Sequence, residues 1–300
     1  MSVRKIAMGI LERCLLLDLE TSTAGKIFQI GALLEDRTFE KKGRFDIEEA
    51  LAELDRFSRG AQVVIGHNII SHDLPVLASF QRKTEILQLP ALDTLYLSPL
   101  AFPENPYHRL VKDYKLVRDS RNHPVADARL AGTLFLDQWE SFSETLQTLP
   151  DLIGFYEFCF RNARLEGGAD GRGICDLFRR IGAPILSDAD AAFRVFQRMT
   201  KDRVCKRAVS ETVHPLLENP HSRPALAYCL AWLQVAGGNS VLPPWVRHRF
   251  PAVAPVLRTL RDIPCGSCAC AWCSEMHTPR RQLQRHFGFD GFRTLPTGET

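Results

Sequence analysis

The chain has 300 residues, of which 45% are hydrophobic and 24% charged, a balance typical of a globular protein with one large domain or two ordinary ones. It contains no run of about 18 apolar residues and its start does not resemble a signal peptide, so the sequence predicts neither a transmembrane helix nor secretion. The formal net charge of +3 is too small to indicate a nucleic-acid-binding protein by itself.

Strand and helix patterns alternate through the first half of the chain. Short apolar or β-branched runs predict strands at residues 15–17, 27–34, 37–44 and 62–66. Apolar residues at helical spacing predict helices at residues 47–57, 71–81 and about 125–142. This alternation predicts an α/β layer.

Helical patterns dominate from about residue 149. They predict helices at residues 152–161, 174–181, 191–199 and 225–235. We interpret this part as a helical linker or accessory region, because its sequence indicates no chemistry. The predicted organisation is a first domain at 1–148, a helical accessory region at 149–262 and a Cys-rich module at 263–300.

Acidic side chains occur in three segments where a plain hydrophobic core would not place them. Asp18 and Glu20 follow the first apolar run two positions apart, so on a strand they project from one face. Asp73 stands at the junction of a predicted strand and helix, and Asp127 opens the helix after His123. Carboxylates beside apolar surface are costly unless a cation neutralises them, so this set predicts a metal site.

Phosphodiester hydrolysis is a reaction that needs such a set. Two hard cations about 4 Å apart can act on the attacking and leaving oxygens together, and Mg²⁺ and Mn²⁺ prefer carboxylate ligands. We therefore predict two catalytic Mg²⁺ or Mn²⁺ ions held by Asp18, Glu20, Asp73 and Asp127. A histidine near the attacking water suits the role of base.

The same segments resemble a known family. Leu17-Asp18-Leu19-Glu20-Thr21, Gly66-His67-Asn68 with Asp73, and His123 with Asp127 are similar to the three exonuclease motifs of the DEDD superfamily, and residues 29–32 resemble its second strand. The resemblance covers roughly residues 12–142. It implies an RNase H-like fold, a mixed sheet flanked by helices, and 3′→5′ removal of nucleotides. We expect Thr21, His67 and Asn68 to contact the nucleic acid.

The third motif departs from the histidine subfamily of this superfamily. That subfamily places its histidine five residues before the last aspartate, where this chain has Asn122, and His123 stands one position later. The spacing of His123 to Asp127 is that of the tyrosine subfamily. We favour His123 as the catalytic base, because an asparagine cannot accept a proton at neutral pH.

Two further features lie near these motifs. Residues 108–116 are basic with one aromatic and either track phosphates, with Lys112 and Lys115 as nucleic-acid contacts, or form a solvated face. Asp93 we interpret as a helix cap and not as a fifth metal ligand.

The nine cysteines favour a reducing cytoplasm, because most are scattered and their number is odd. Cys14, Cys159, Cys175, Cys205 and Cys229 are interpreted as small core residues. The remaining cysteines and a nearby histidine predict one structural Zn²⁺ bound by four of five candidate ligands, which are Cys265, Cys268, Cys270, Cys273 and His277. An iron–sulfur cluster or cysteines without metal are the alternatives.

The end of the chain resembles a second family over about a dozen residues. Residues 283–293 are similar to the segment that opens RecQ-family helicase domains, without the glutamine expected shortly afterwards. No phosphate-binding loop follows, so this chain cannot be a helicase by itself. The chain resembles the exonuclease and connector part of a bacterial exonuclease–helicase fusion, cut short or encoded separately.

Taken together, these features predict a 3′→5′ exonuclease that acts on single-stranded or 3′-ended DNA, with a RecQ-like helicase as partner in cis or in trans and no membrane partner. An RNA exonuclease of the same fold is one alternative, because the sequence does not reveal whether the binding pocket accepts or excludes the 2′-hydroxyl of RNA. A non-catalytic nucleic-acid-binding or assembly module is the other.

Overall fold

A mixed β-sheet forms the centre of the first half of the protein. The computed structural model describes residues 3–80, 84–105, 123–235, 242–279 and 281. Within these ranges five strands form the sheet, and they are β1 (Cys14–Thr21), β2 (Ile27–Leu34), β3 (Arg37–Lys42), β4 (Val63–Gly66) and β5 (Ala91–Asp93). Their order is β3-β2-β1-β4-β5, with β2 and β3 antiparallel to their neighbours and β4 and β5 parallel to β1.

Helices flank this sheet. They are α1 (Val3–Leu11), α2 (Ile47–Phe57), α3 (Asp73–Ser79), α4 (Thr94–Ala101) and α5 (Pro124–Thr148). The long α5 packs across β1 and β2 through buried side chains such as Val125, Ala128 and Phe135. Pro124 occupies its first turn, where a missing N–H costs nothing, and the His123 side chain caps the helix by accepting a hydrogen bond from the Ala126 backbone N–H.

The second half is helical in the residues that the structure describes. Its helices are α6 (Pro150–Phe160), α7 (Arg172–Ile181), α8 (Ala189–Met199), α9 (Lys206–Glu218), α10 (Arg223–Val235), α11 (Pro244–Arg249), α12 (Val253–Arg261) and α13 (Ala271–Met276). α10 is buried along most of its length and packs on α4 and α6, where the Tyr228 hydroxyl donates to the Tyr96 carbonyl at 3.0 Å. The predicted class, a mixed sheet flanked by helices and followed by a helical region and a cysteine cluster, is confirmed.

Some elements escape the sequence patterns for physical reasons. α4 is buried on nearly every side, so it lacks the polar face that marks an amphipathic helix. α9 carries Pro215 near its end, a residue that ordinarily argues against a helix interior. The division into three domains stays a prediction. Among the described residues, none of the helices combines the length and apolar character needed to cross a membrane.

Candidate metal sites

Three of the four predicted carboxylates meet at one end of the sheet. Asp18 and Glu20 lie two positions apart on β1, and Asp127 lies in the first turn of α5. Each of these three residues has one carboxylate oxygen within 4.8 Å of a carboxylate oxygen of the other two. All three side chains are half-buried. An acidic group of this size, open on one side, can hold a divalent cation.

A close backbone approach brings Asp127 to the strand. Gly31 on β2 pairs with Asp18 on β1, and a Cβ at Gly31 would lie 2.3 Å from the backbone of both Pro124 and Val125. Only a residue without a side chain lets the first turn of α5 come this near to the sheet. The glycine therefore sets how close the two halves of the acidic group stand.

Asp73, the fourth predicted carboxylate, lies beside this group and not within it. The side chain is buried, and its Oδ1 accepts a hydrogen bond from the Leu19 backbone N–H at 2.8 Å, between the two acidic residues of β1. Burial, and next the charge of Asp18, raise the pKa of Asp73 well above its ordinary value. A nearby cation would offset both effects, because it neutralises clustered negative charge in a region of poor solvation.

The predicted base, His123, directly precedes the helix turn that carries Asp127. His123 is about half exposed, its Nδ1 accepts from the Ala126 backbone N–H at 3.4 Å, and its Nε2 lies 3.9 Å from Oε1 of Glu40. A second histidine, His72, contacts the end of β1 and was not predicted as a site residue. Nε2 of His72 lies 3.5 Å from the hydroxyl of Thr21. His72 directly precedes Asp73, and this adjacency was the available clue.

The loop after β4 is held by Asp93. Its buried carboxylate accepts hydrogen bonds from the backbone N–H groups of Asn68, Ile70 and Leu95 at 2.8, 3.0 and 2.9 Å. The predicted role of Asp93 as a helix cap is confirmed, since it is the N-cap residue of α4. Burial raises the pKa of Asp93 to about 6, while these hydrogen bonds act in the opposite direction.

The same loop is also contacted from the helical region. Asn68 has a φ of +68°, a left-handed conformation that asparagine tolerates better than most residues. Its Oδ1 accepts a hydrogen bond from Arg249 of α11 at 2.7 Å, and Arg249 is paired in turn with Glu166 at 2.7 Å. His67 forms a hydrogen bond with the hydroxyl of Thr94 at 2.9 Å. That His67, Asn68 and Thr21 contact nucleic acid stays a prediction.

A second group of metal-binding side chains lies in the helical region. Four cysteine sulfur atoms all lie within 4.8 Å of one another, so this cluster can hold a metal ion. They belong to Cys205, Cys265, Cys270 and Cys273. Three of these were among the five predicted candidates. The fourth, Cys205, was expected to be a core residue, and it lies 65 positions before Cys270.

Two of the five predicted ligands stand outside the cluster. Cys268 is exposed, and His277 packs its ring against Trp272 at 5.7 Å between centroids. The pKa of Cys265 is lowered to about 7, chiefly by a hydrogen bond from the Ser267 backbone, which favours the thiolate form that binds metals. Burial raises the pKa of Cys273 to about 12.

Several predicted residues lie outside the described part of the chain. These are Asn122, Lys112 and Lys115, together with the helicase-like segment at 283–293.

The chain matches no family model, no curated protein and no solved structure.

Proposed function

We propose that this protein is a metal-dependent 3′→5′ exonuclease that hydrolyses DNA phosphodiester bonds. One observation carries the proposal: Asp18 and Glu20 on β1 and the distant Asp127 on α5 bring their carboxylate oxygens within 4.8 Å of one another, with buried Asp73 alongside. The resemblance to the DEDD motifs supports the same reaction, and the sheet order β3-β2-β1-β4-β5 agrees with the RNase H-like fold that it implies.

The residues present fit hard divalent cations. All four side chains offer carboxylate oxygens, which Mg²⁺ and Mn²⁺ prefer, and the half-burial of three of them leaves room for water and substrate. When bound, two such cations supply an activated water and stabilise the charge on the leaving oxygen. The cysteine cluster offers thiolates, which favour Zn²⁺, so the two groups should select different metals by ligand type.

His123 is the residue that we propose as the general base. In the structure its Nδ1 accepts the capping hydrogen bond, so the neutral ring carries its proton on Nε2. The nitrogen that can accept a proton is therefore Nδ1, and the ring must first release this bond, which at 3.4 Å is long and weak. Its half-exposed position at the start of α5 permits that movement. His72, whose Nε2 lies 3.5 Å from the hydroxyl of Thr21, is a second candidate for this role.

The expected substrate is single-stranded or 3′-ended DNA, and the expected partner is a RecQ-like helicase. Both expectations come from the resemblances at the two ends of the chain. An RNA substrate would leave the same acidic group in use, because two-metal hydrolysis acts on the phosphate and not on the sugar.

The decisive experiment is a nuclease assay on the purified chain with DNA and RNA strands labelled at either end, in Mg²⁺, in Mn²⁺ and with chelator. We expect stepwise shortening of DNA from its 3′ end, only when a divalent cation is present. Asp18→Asn should abolish it, and Asp36→Asn, which neutralises an exposed aspartate in the turn after β2, should not. Preferential digestion of RNA would reassign the substrate. The absence of cation-dependent cleavage would favour a non-catalytic binding module.

A further inference from the structure

We propose that Cys205, Cys265, Cys270 and Cys273 together bind one zinc ion. This ion links the C-terminal segment, here residues 261–279, to the start of α9. The proposal assigns Cys205 as the fourth ligand and leaves Cys268 and His277 out of the site. It stands independently of the proposed nuclease activity, because the carboxylates belong to another part of the fold.

The sulfur positions agree with tetrahedral zinc. Four thiolates at a Zn–S distance of about 2.3 Å stand about 3.8 Å apart along each edge of the tetrahedron. The sulfur atoms of Cys205 and Cys270 are 3.8 Å apart, and all four sulfurs lie within 4.8 Å of one another. A disulfide would need a sulfur–sulfur distance of about 2 Å, so these cysteines are free thiols gathered at one point.

The backbone presents these sulfurs from two separate elements. Cys205 is the N-cap residue of α9, and its N–H donates to the carbonyl of Leu260 at the end of α12 at 3.2 Å. Cys270 is the N-cap residue of α13, and Cys273 follows three positions later, which places both on one face of the helix. Gly266, which follows Cys265, has a φ of +71°, a left-handed conformation that favours glycine. The backbone N–H of Cys265 donates a hydrogen bond to the Cys273 sulfur at 3.4 Å.

Residues 261–279 lack a hydrophobic core of their own. From residue 261 to residue 279, all of which the structure describes, Cys273 is the one buried residue. Little apolar surface is therefore available to offset the conformational entropy that ordering this segment costs. Small modules of this kind are ordinarily held by a metal or by disulfides, and zinc binding then contributes directly to folding.

The closed ligand set indicates a structural role. With four protein thiolates, a tetrahedral zinc ion keeps no open position for water or substrate. Cys205 and Cys273 are buried, which further excludes solvent from the ion. The ion would therefore link α9 and the 265–276 segment without taking part in hydrolysis.

The test compares two matched substitutions in the full-length protein, purified under reducing conditions. Elemental analysis should find about one zinc per chain in the wild type and in Cys268→Ser, and less than a fifth of that in Cys205→Ser. Hydrogen exchange should show the 262–279 segment opening at least tenfold more often in Cys205→Ser. Digestion of short single strands, if the wild type performs it, should be unchanged in both variants.

A measurement on the wild type covers the possibility that Cys205→Ser does not fold. Alkylation followed by mass spectrometry should modify Cys268 at once, and should modify Cys265 and Cys270 only after a strong chelator has removed the zinc. Loss of zinc from Cys268→Ser together with its retention in Cys205→Ser would restore the ligand set expected from the sequence. Iron with labile sulfide in the purified protein would overturn the zinc assignment. Alkylation of Cys265 and Cys270 at the same rate with and without chelator would overturn it too. None of these outcomes depends on whether the nuclease assay succeeds.

Discussion

The approach of α5 to the sheet at Gly31 allows a sharp test of the acidic site. In Gly31→Ala the new Cβ would lie 2.3 Å from the backbone of Pro124, where contacts below 3.4 Å are already tighter than most real ones. The start of α5 must therefore move outward by about 1 Å. Such overpacking costs about 1–3 kcal/mol of stability. A misplacement of about 1 Å at a catalytic group can lower a rate roughly a hundredfold.

Gly171→Ala is the matched control for this substitution. A Cβ at Gly171 would lie 2.3 Å from the Phe160 carbonyl oxygen, an equal overlap with backbone, but in the helical region and on no element that carries the carboxylates. Urea unfolding should show comparable destabilisation of the two variants. Initial nuclease rates, and the rise in Tm caused by Mn²⁺, should fall strongly only in Gly31→Ala. Equal rates and equal Mn²⁺ responses in both variants would refute the idea that this glycine sets the geometry of the site.

Five other substitutions test individual residues at the acidic site or on the loop beside it. Asp18→Ala or Asp127→Ala should abolish hydrolysis yet leave the metal-free protein as stable as the wild type or more so in thermal melts, because clustered carboxylates repel each other without a cation; a wild-type rate would contradict the metal assignment. His123→Ala should lower the rate roughly a hundredfold and Asn122→Ala much less; the reverse order would shift the third motif by one residue. Arg249→Met should cost about 2 kcal/mol in urea unfolding, because it removes charge-assisted hydrogen bonds to Asn68 and Glu166; unchanged stability would show that this contact holds nothing in place.

The residues of the acidic site were predictable because local rules place most of them. Asp18 and Glu20 share a face through the two-residue period of a strand, and Asp127 falls in the first turn of a helix that begins with a proline. Asp93 was predictable as a cap from its residue type alone. Its hydrogen bonds to Asn68 and Ile70 were not, because they join segments about 25 positions apart.

The contributions of the helical region could not be derived from the sequence. Cys205 has no neighbouring cysteine to suggest a ligand, and only the packing of α9 against α12 brings it to the others. Arg249 meets Asn68 across 181 positions of the chain, which no periodicity or spacing rule can anticipate. Local patterns specify which side chains an element presents, whereas tertiary packing decides which of them meet.

The two candidate metal sites are assembled in the same way, but they differ in how accessible they are to solvent. In each, neighbouring residues of one segment are joined by a side chain at the start of a distant helix: Asp127 on α5 completes the carboxylates, and Cys205 completes the thiolates. Neither set can form before its helix has docked, so metal affinity at both is tied to tertiary folding. Asp18, Glu20 and Asp127 are half-buried, which leaves the acidic group accessible to water, whereas the four cysteines, two of them buried, match the four positions of a tetrahedral ion. Openness at the first site and closure at the second are what the proposed hydrolysis and the proposed structural zinc respectively require.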